Sequence, residues 1–497
     1  MNAVDFLFEH SRESRADFIA GHSERLGIAD LHDRVASLAA HLSRELGREL
    51  PVLLISDNSS FFVIAYLAVM KSGNVVIPVN PSSSRESLEH ILGQTGCRSA
   101  FIQDRYLEKY AALVAEVYDG ERVAALPTAD EATDGPDLPD DHLAAILFTS
   151  GSTALPKGVM LSHGNIVANT RSIVDYLALT AADRMLVVLP FYYCYGLSLL
   201  HTHLRVGGSI VLNNSFIMLN TVIQDLQEHR CTGFAGVPSH FQIMLRKSRR
   251  FRESRFPDLR YVTQAGGKLP NVFIHEFRQT WPETRFYVMY GQTEATARLS
   301  YLPPEFLDSK LGSIGRGIPG VTLEVLDPAG NPVRPGEVGE LAARGDNLML
   351  GYFQDPELTA QTIRDGRLFT GDLGTVDEDG FVYVVARKKE FLKVGGERVS
   401  PREIEDVIVR LPEVVDCSVV GIPDETQGEA IKALVVLGTP GSLTDRDIVN
   451  HCAAHLGSAK IPKAVAFLDR IPVSATGKKV KATLSDLRST HADSGVL

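Results

Sequence analysis

Apolar positions up to about residue 380 fall into two recurring patterns. Short apolar runs such as Val52–Ser56 and Asn74–Val79 read as buried strands, and the stretch Ser59–Lys71 between them reads as a helix. Strand–helix–strand spacing of this kind predicts parallel pairing and an α/β fold. The longest markedly apolar stretch, Phe61–Met70, is about half the length of a membrane-spanning helix. Ala144–Phe148 reads as another buried strand, preceded by a Pro-, Asp- and Ala-rich connector over Ala125–Asp141.

After residue 310 the texture changes. Val321–Leu326 and Gly336–Arg344 are short alternating strands flanking a turn at Pro328–Asn331. Asp377–Gly380 is a hairpin turn that launches a strand over Phe381–Ala386. From about residue 390 the pattern is α+β on a small scale. Ser400-Pro401-Arg402-Glu403 has capping-box form with Pro at the first helical position, which predicts a helix running to about Leu411. Strands follow over Cys417–Gly421, Ala430–Leu437 and Val465–Leu468, with a helix over Thr444–Leu456. The basic run Arg387–Lys393 marks the boundary. The expectation is therefore an α/β chain with a large N-terminal domain over 1–388, made of parallel-sheet layers plus a β-rich subdomain. A small mobile α+β domain occupies 389–497, with a polar, frayed tail after Leu487.

Composition narrows the function. At 497 residues the chain is too long for one core, and its formal charge of −11 argues against a nucleic-acid surface. The N-terminus lacks a basic-then-apolar signal pattern, and no apolar run spans a membrane. The five cysteines are scattered without a C-x-x-C pair, as expected of reduced thiols in a cytoplasm.

The densest chemistry lies in Thr149-Ser150-Gly151-Ser152-Thr153-Ala154-Leu155-Pro156-Lys157-Gly158. A loop of small residues leaving a strand can turn backbone N–H groups and hydroxyls toward one anion, and Lys157 adds a point charge. The run does not fit G-x-x-x-x-G-K-[ST], and alone it is also what a flexible loop looks like. Four further motifs follow it in order: Tyr290-Gly291-Gln292-Thr293-Glu294, Thr370-Gly371-Asp372, Arg387-Lys388-Lys389-Glu390 and Pro472–Lys478. Together the five resemble the adenylate-forming superfamily of acyl-CoA synthetases, free-standing adenylation domains and luciferases, over nearly the whole chain.

The resemblance implies roles that residue chemistry supports. Thr149, Ser150, Gly151, Ser152, Thr153 and Lys157 would grip the phosphates of ATP. Thr293 would contact the α-phosphate and Glu294 would hold Mg²⁺, which prefers carboxylate and phosphate oxygens. Tyr290 offers a flat face to adenine, with Gly266 and Gly291 beside it. Asp372 accepts from the ribose hydroxyls, aided by Arg387. Lys478 is the expected catalytic lysine, reaching from the small domain to the carboxylate and α-phosphate; without the family it reads as a surface lysine beside Lys479 and Lys481. Lys389 is the implied hinge, and Gly395 and Gly396 would line the channel for a pantetheine thiol.

Tyr193, Gly196, Ala265 and Gly267 are the expected acid pocket. The segment Leu189–Gly196 holds no Asp, which disfavours an α-amino acid, because a buried ammonium without a carboxylate is costly. A fatty or other non-amino carboxylic acid is the expected substrate. Ala154 departs from the glycine usual in the family. The resulting expectation is a cytoplasmic ATP- and Mg²⁺-dependent acid:thiol ligase that passes its acyl group to coenzyme A or to carrier-bound phosphopantetheine. An acyl-AMP ligase loading an acyl carrier protein, a catalytically silent nucleotide-binding regulator and an ADP-forming phosphotransferase are the competing readings.

Overall fold

The computed structural model describes residues 1–21, 24–126, 136–149, 155–388, 391–424, 428–472, 479, 484 and 487. The expected phosphate-loop residues Ser150, Gly151, Ser152, Thr153 and Ala154, the hinge Lys389 and the closing Lys478 lie outside them, as do most of the expected connector and most of the tail.

The described residues build four sheets. In one, the strands Leu143–Thr149, Val75–Val79, Pro51–Ile55, Ser99–Ile102 and Glu116–Tyr118 lie side by side and parallel. In a second, Arg285–Tyr290, Tyr261–Gln264, Gly233–Gly236, Arg184–Val187, Ser209–Leu212 and Asp17–Ala20 form an equivalent parallel series. Helices Ile28–Glu45, Ser60–Lys71, His163–Leu177 and Cys194–Arg205 share one apolar core with side chains from both sheets. The apolar run Phe61–Met70 is thereby explained. It belongs to a helix buried from Phe62 onward, started by the Ser59 hydroxyl accepting from the Phe62 N–H at 3.1 Å. Even Lys71 at its end is buried, paired with Asp5 at 2.5 Å. No helix among the described residues is long and apolar enough to cross a membrane. None of the five cysteines forms a disulfide.

The β-rich section is an antiparallel sheet of Val321–Leu326, Gly339–Gly345, Arg367–Val376, Ile363–Arg364 and Val382–Arg387. The last sheet combines Leu392–Val394, Glu397–Val399, Val414–Asp424, Gly428–Leu437 and Ala464–Phe467, against helices Pro401–Ile408 and Asp445–His455. One local expectation fails here. Ser400 is the N-cap and Pro401 the first helical residue, yet the Ser400 side chain makes no capping bond. Glu403 pairs with Lys460 at 2.6 Å instead of closing the box. A lysine from a neighbouring element outcompetes the local bond, and the helix ends at Ile408, short of Leu411.

This sheet docks on the second parallel layer through polar contacts. The Arg246 guanidinium, fixed by Glu276 at 2.6 Å, donates to the carbonyls of Val409 and Leu411 at 2.9 Å each, filling the C-terminal end of helix Pro401–Ile408. Gln242 donates to Asp416 at 3.1 Å, and Lys268 pairs with Asp406 at 2.7 Å.

Four buried histidines give the fold a defined acid weakness. Burial pushes His163, His201 and His240 down to about 3, and His203 to about 4, from 6.5. Each is neutral when folded and protonates when unfolded, so its contribution is full above about pH 6.5 and shrinks as pH falls toward 3–4. At pH 5 the loss is on the order of 2 kcal/mol per histidine. The urea midpoint is therefore expected to fall markedly between pH 7 and pH 5; an unchanged or higher midpoint at pH 5 contradicts this.

Candidate active site

Tyr290, Gly291, Thr293 and Glu294 lie on one turn. Strand Arg285–Tyr290 ends at Tyr290, and the chain then folds sharply through Gly291 and the short helix Thr293–Ala295. A Cβ on Gly291 would stand 2.0 Å from the Ala297 carbonyl oxygen, so only glycine fits. The turn closes at Thr296, a β-branched residue held at φ 62° and ψ −51°, with the Ala297 N–H donating to the Ala295 carbonyl at 2.6 Å. This is the strained hand of γ-turn. Buried Asn347 holds it: its backbone carbonyl accepts from the Thr296 hydroxyl at 2.8 Å, and its amide donates to the carbonyls of Ala295 (3.2 Å) and Arg298 (2.7 Å). Strain of this kind persists only where the surroundings over-determine it, and it concentrates at functional sites.

On one side of the turn lies a cavity of about 270 Å³, lined by Gly266, Gly267, Tyr290, Gly291, Asp372 and Arg387 among others. Gly266 adopts φ +84°, a backbone conformation that favours glycine, and the Gln264 amide donates to the Gly267 carbonyl at 2.7 Å. Asp372 is buried and faces Arg387 directly across two antiparallel strands. Its carboxylate accepts from the Tyr290 hydroxyl at 2.7 Å and from Arg387 Nε at 3.1 Å. A carboxylate offers about four acceptor positions. Among the described residues two remain without a partner, the number a vicinal diol requires. Burial and the Asp372 charge hold the Tyr290 hydroxyl protonated, well above its ordinary value.

On the other side is a cleft of about 620 Å³, lined by Gln292, Glu294, Thr370, Gly371 and Lys388 among others. The Tyr352 hydroxyl donates to Glu294 Oε1 at 2.8 Å. The segment Met349–Phe353 ties this carboxylate to the phosphate-loop hairpin. Met349 N–H bonds the Glu294 carbonyl, while Leu350 and Phe353 N–H bond Met160 and Gly158 carbonyls, at 2.8–2.9 Å. In that hairpin Thr149 stands opposite Lys157, the last and first residues of antiparallel strands flanking the loop. The loop thus joins strand to strand rather than strand to helix.

Among the described residues no three His, Cys, Asp or Glu side chains form a metal cage. One oriented carboxylate facing a cleft instead matches Mg²⁺, which is held by one or two carboxylates with phosphate oxygens completing its shell.

Thr293, expected at the α-phosphate, is buried and its hydroxyl reaches Cys194 Sγ at 3.5 Å. The expected acid-pocket residues divide. Tyr193 caps helix Cys194–Arg205 and lies within electrostatic reach of Glu294; burial raises its pKa. Ala265 is buried, and Gly267 lines the 270 Å³ cavity beside Pro238. Gly196 has a simpler explanation: an added Cβ would meet the Pro190 carbonyl oxygen at 2.1 Å, so backbone packing alone accounts for it. Gly395 and Gly396, the expected thiol channel, form an exposed hairpin turn at φ 56° and 87° with nothing within 4 Å of an added Cβ, and do not line either cavity. Lys479, the residue after the closing motif, does reach the 270 Å³ cavity, where Asp416 pairs with it at 2.8 Å.

Sequence reasoning missed Asn347, Tyr352 and Arg298. None stands in the five motifs. The only signal was Arg298 itself, a charged residue in the apolar run that follows Glu294.

Comparison with known proteins identifies the family. The family model described as AMP-binding enzyme matches residues 8–353, and that of the AMP-binding enzyme C-terminal domain matches 403–478. The chain is 32% identical to a feruloyl-CoA synthase of Amycolatopsis sp over 92% of both chains. It is 30% identical to a long-chain-fatty-acid–CoA ligase of Salmonella typhimurium over 97% of this chain and 93% of the relative. The solved o-succinylbenzoate coenzyme A synthetase of Bacillus subtilis, in complex with ATP and magnesium ion, superposes with a TM-score of 0.84 at 26% identity, covering 98% of this chain and 99% of that one.

Proposed function

Because this chain belongs to the AMP-binding enzyme family, and is an AMP-forming acid–CoA ligase like its relatives, we propose that the strained turn at Thr296 divides its site into a nucleoside side and a phosphate side. The observation that carries this is the placement of Asp372 and Glu294, which line separate cavities on either side of one clamped turn.

On the nucleoside side, Tyr290 and Gly266 bracket adenine, and the two free acceptor positions of Asp372 take the ribose hydroxyls. Arg387, half exposed, presents its planar guanidinium beside the same sugar. On the phosphate side, the loop after Thr149 and the Lys157 ammonium hold the β- and γ-phosphates, and Thr293 orients the α-phosphate. Glu294, oriented by Tyr352, would hold magnesium, which when bound offsets charge on the phosphate oxygens. The acid carboxylate attacks the α-phosphorus, the bond to pyrophosphate breaks, and an acyl-adenylate forms. Lys478 stabilises that transition state. The thiol then attacks the acyl carbonyl and AMP leaves. Positioning and fixed charge supply most of the acceleration, since two anions must be brought together.

The division of the chain into 1–388 and 389–497, with rotation at Lys389, belongs to the same proposal. What supports it is that the exposed Gly395–Gly396 turn lines neither cavity, while Lys479, the residue that follows the closing motif, lines the nucleoside one. The acid is a non-amino carboxylic acid, and coenzyme A is the acceptor; a carrier protein is the alternative thiol.

ATP–pyrophosphate exchange over a panel of acids tests this reading. Exchange is expected with at least one non-amino acid and none with α-amino acids. Tight ATP binding with no exchange for any acid would leave only a nucleotide-binding regulator.

A further inference from the structure

Arg298 is the one feature of the turn that the nucleotide does not explain. It is 2% exposed and lies four residues beyond Glu294. Its backbone carbonyl is pinned by two buried amides, Asn347 at 2.7 Å and Asn169 at 3.4 Å. Its guanidinium lies 4.1 Å over the Tyr195 ring, with Nε donating to Met289 Sδ at 3.3 Å, Nη1 to the adjacent Ala297 carbonyl at 3.4 Å, and a further bond to the neutral Tyr176 hydroxyl.

These partners do not balance the charge. A guanidinium is always cationic and carries five N–H donors. A thioether is a weak acceptor, and a desolvated cation–π contact offsets about 2 kcal/mol of a burial penalty of several. Elsewhere this fold pairs its enclosed cations with carboxylates: Arg246 with Glu276 at 2.6 Å, Lys71 with Asp5 at 2.5 Å, Arg205 with Glu9 at 2.6 Å. Among the described residues no carboxylate lies within ion-pair distance of Arg298.

Its neighbours place it at the acid pocket. The first turn of helix Cys194–Arg205 joins Arg298 to Thr293: the Thr293 hydroxyl reaches Cys194 Sγ at 3.5 Å, and the next residue, Tyr195, forms the face under the guanidinium. The reacting carboxylate must lie beside the α-phosphate that Thr293 orients, so a second anion on the same acid is the group left to meet the guanidinium.

We propose that Arg298 is a specificity-determining residue that receives a second anionic group on the acid substrate, so that the preferred acids are dianions whose far end carries a carboxylate, sulfonate or phosphate. This rests on the ligase reading. A planar fork with paired N–H donors suits such a group, because it binds carboxylates and phosphates bidentately.

The test compares dicarboxylic with monocarboxylic acids of equal chain length, aliphatic and aromatic, in ATP–pyrophosphate exchange. The wild-type enzyme is expected to favour a diacid over its matched monoacid by about a hundredfold in kcat/KM. Arg298→Met should collapse that ratio by about the same factor, mainly through KM for the diacid, and Arg298→Lys should restore part of it. Because the readout is a ratio within one protein sample, a general loss of folded enzyme does not mimic it. Wild-type preference for the monoacids, or an equal effect of Arg298→Met on both series, overturns the assignment while leaving the ligase reading intact. Absence of exchange with either series overturns both.

Discussion

Lys478→Ala is expected to lower acid-dependent ATP–pyrophosphate exchange about a thousandfold, while transfer from supplied acyl-adenylate to a thiol falls by less than about tenfold. Adenylation brings a carboxylate against the α-phosphate, and charge builds on the phosphoryl oxygens as pyrophosphate departs. A lysine ammonium fixed at that point is worth most there and little in the second step, where the α-phosphate is only part of the leaving group. The neighbouring lysine cannot substitute. Lys479, partly buried, pairs with Asp416 at 2.8 Å and donates to the Cys417 carbonyl, so its charge is already committed. The exposed Gly395–Gly396 hairpin fits the adenylate-forming side of the cycle. Separate assays of the two half-reactions on one preparation check this. An equal loss in both steps would contradict rotation of the C-terminal part between them.

Glu294→Gln is the second large effect, expected at about a hundredfold in exchange rate, with the Mg²⁺ concentration for half-maximal activity raised about tenfold. Glutamine keeps the shape and still offers an oxygen to the Tyr352 hydroxyl, which bonds Glu294 at 2.8 Å in the wild type. The turn clamped by Asn347 is untouched by the change, so stability to urea should stay within about 0.5 kcal/mol of wild type. What is lost is the negative charge that a hard cation requires. A Mg²⁺ titration of exchange activity measures it directly. An unchanged Mg²⁺ requirement would remove Glu294 from the metal site.

Periodicity makes the layered fold legible because it reports burial. The strands near Val52 and Val75 pair in parallel as their spacing demands, and the Phe61–Met70 run is a helix enclosed between two sheets. The Ser400 capping box fails because Lys460, fifty-seven residues beyond Glu403, takes that carboxylate, and local pattern carries no information about such a competitor. The site is legible where a residue type suits a single chemical role, as Asp372 suits hydroxyls and Glu294 a hard cation. It is not legible where geometry is imposed from a distance. The clamp on Thr296 is made by Asn347, fifty-one residues on, and the link between Glu294 and the phosphate-loop hairpin runs through backbone atoms of Met349 to Phe353. Any sequence could supply those backbone groups, so no motif records them. Arg298 escapes a sequence reading for a related reason. A charged residue inside an apolar run is informative only once its lack of a carboxylate partner among the described residues can be seen.

The most direct measurement of the central claim is the product analysis of one complete turnover. With an acid that supports exchange, ATP, Mg²⁺ and coenzyme A, chromatography and mass analysis should find AMP and acyl-coenzyme A in equal amounts. ADP in place of AMP, or AMP formed without any thioester, would contradict an AMP-forming acid–CoA ligase.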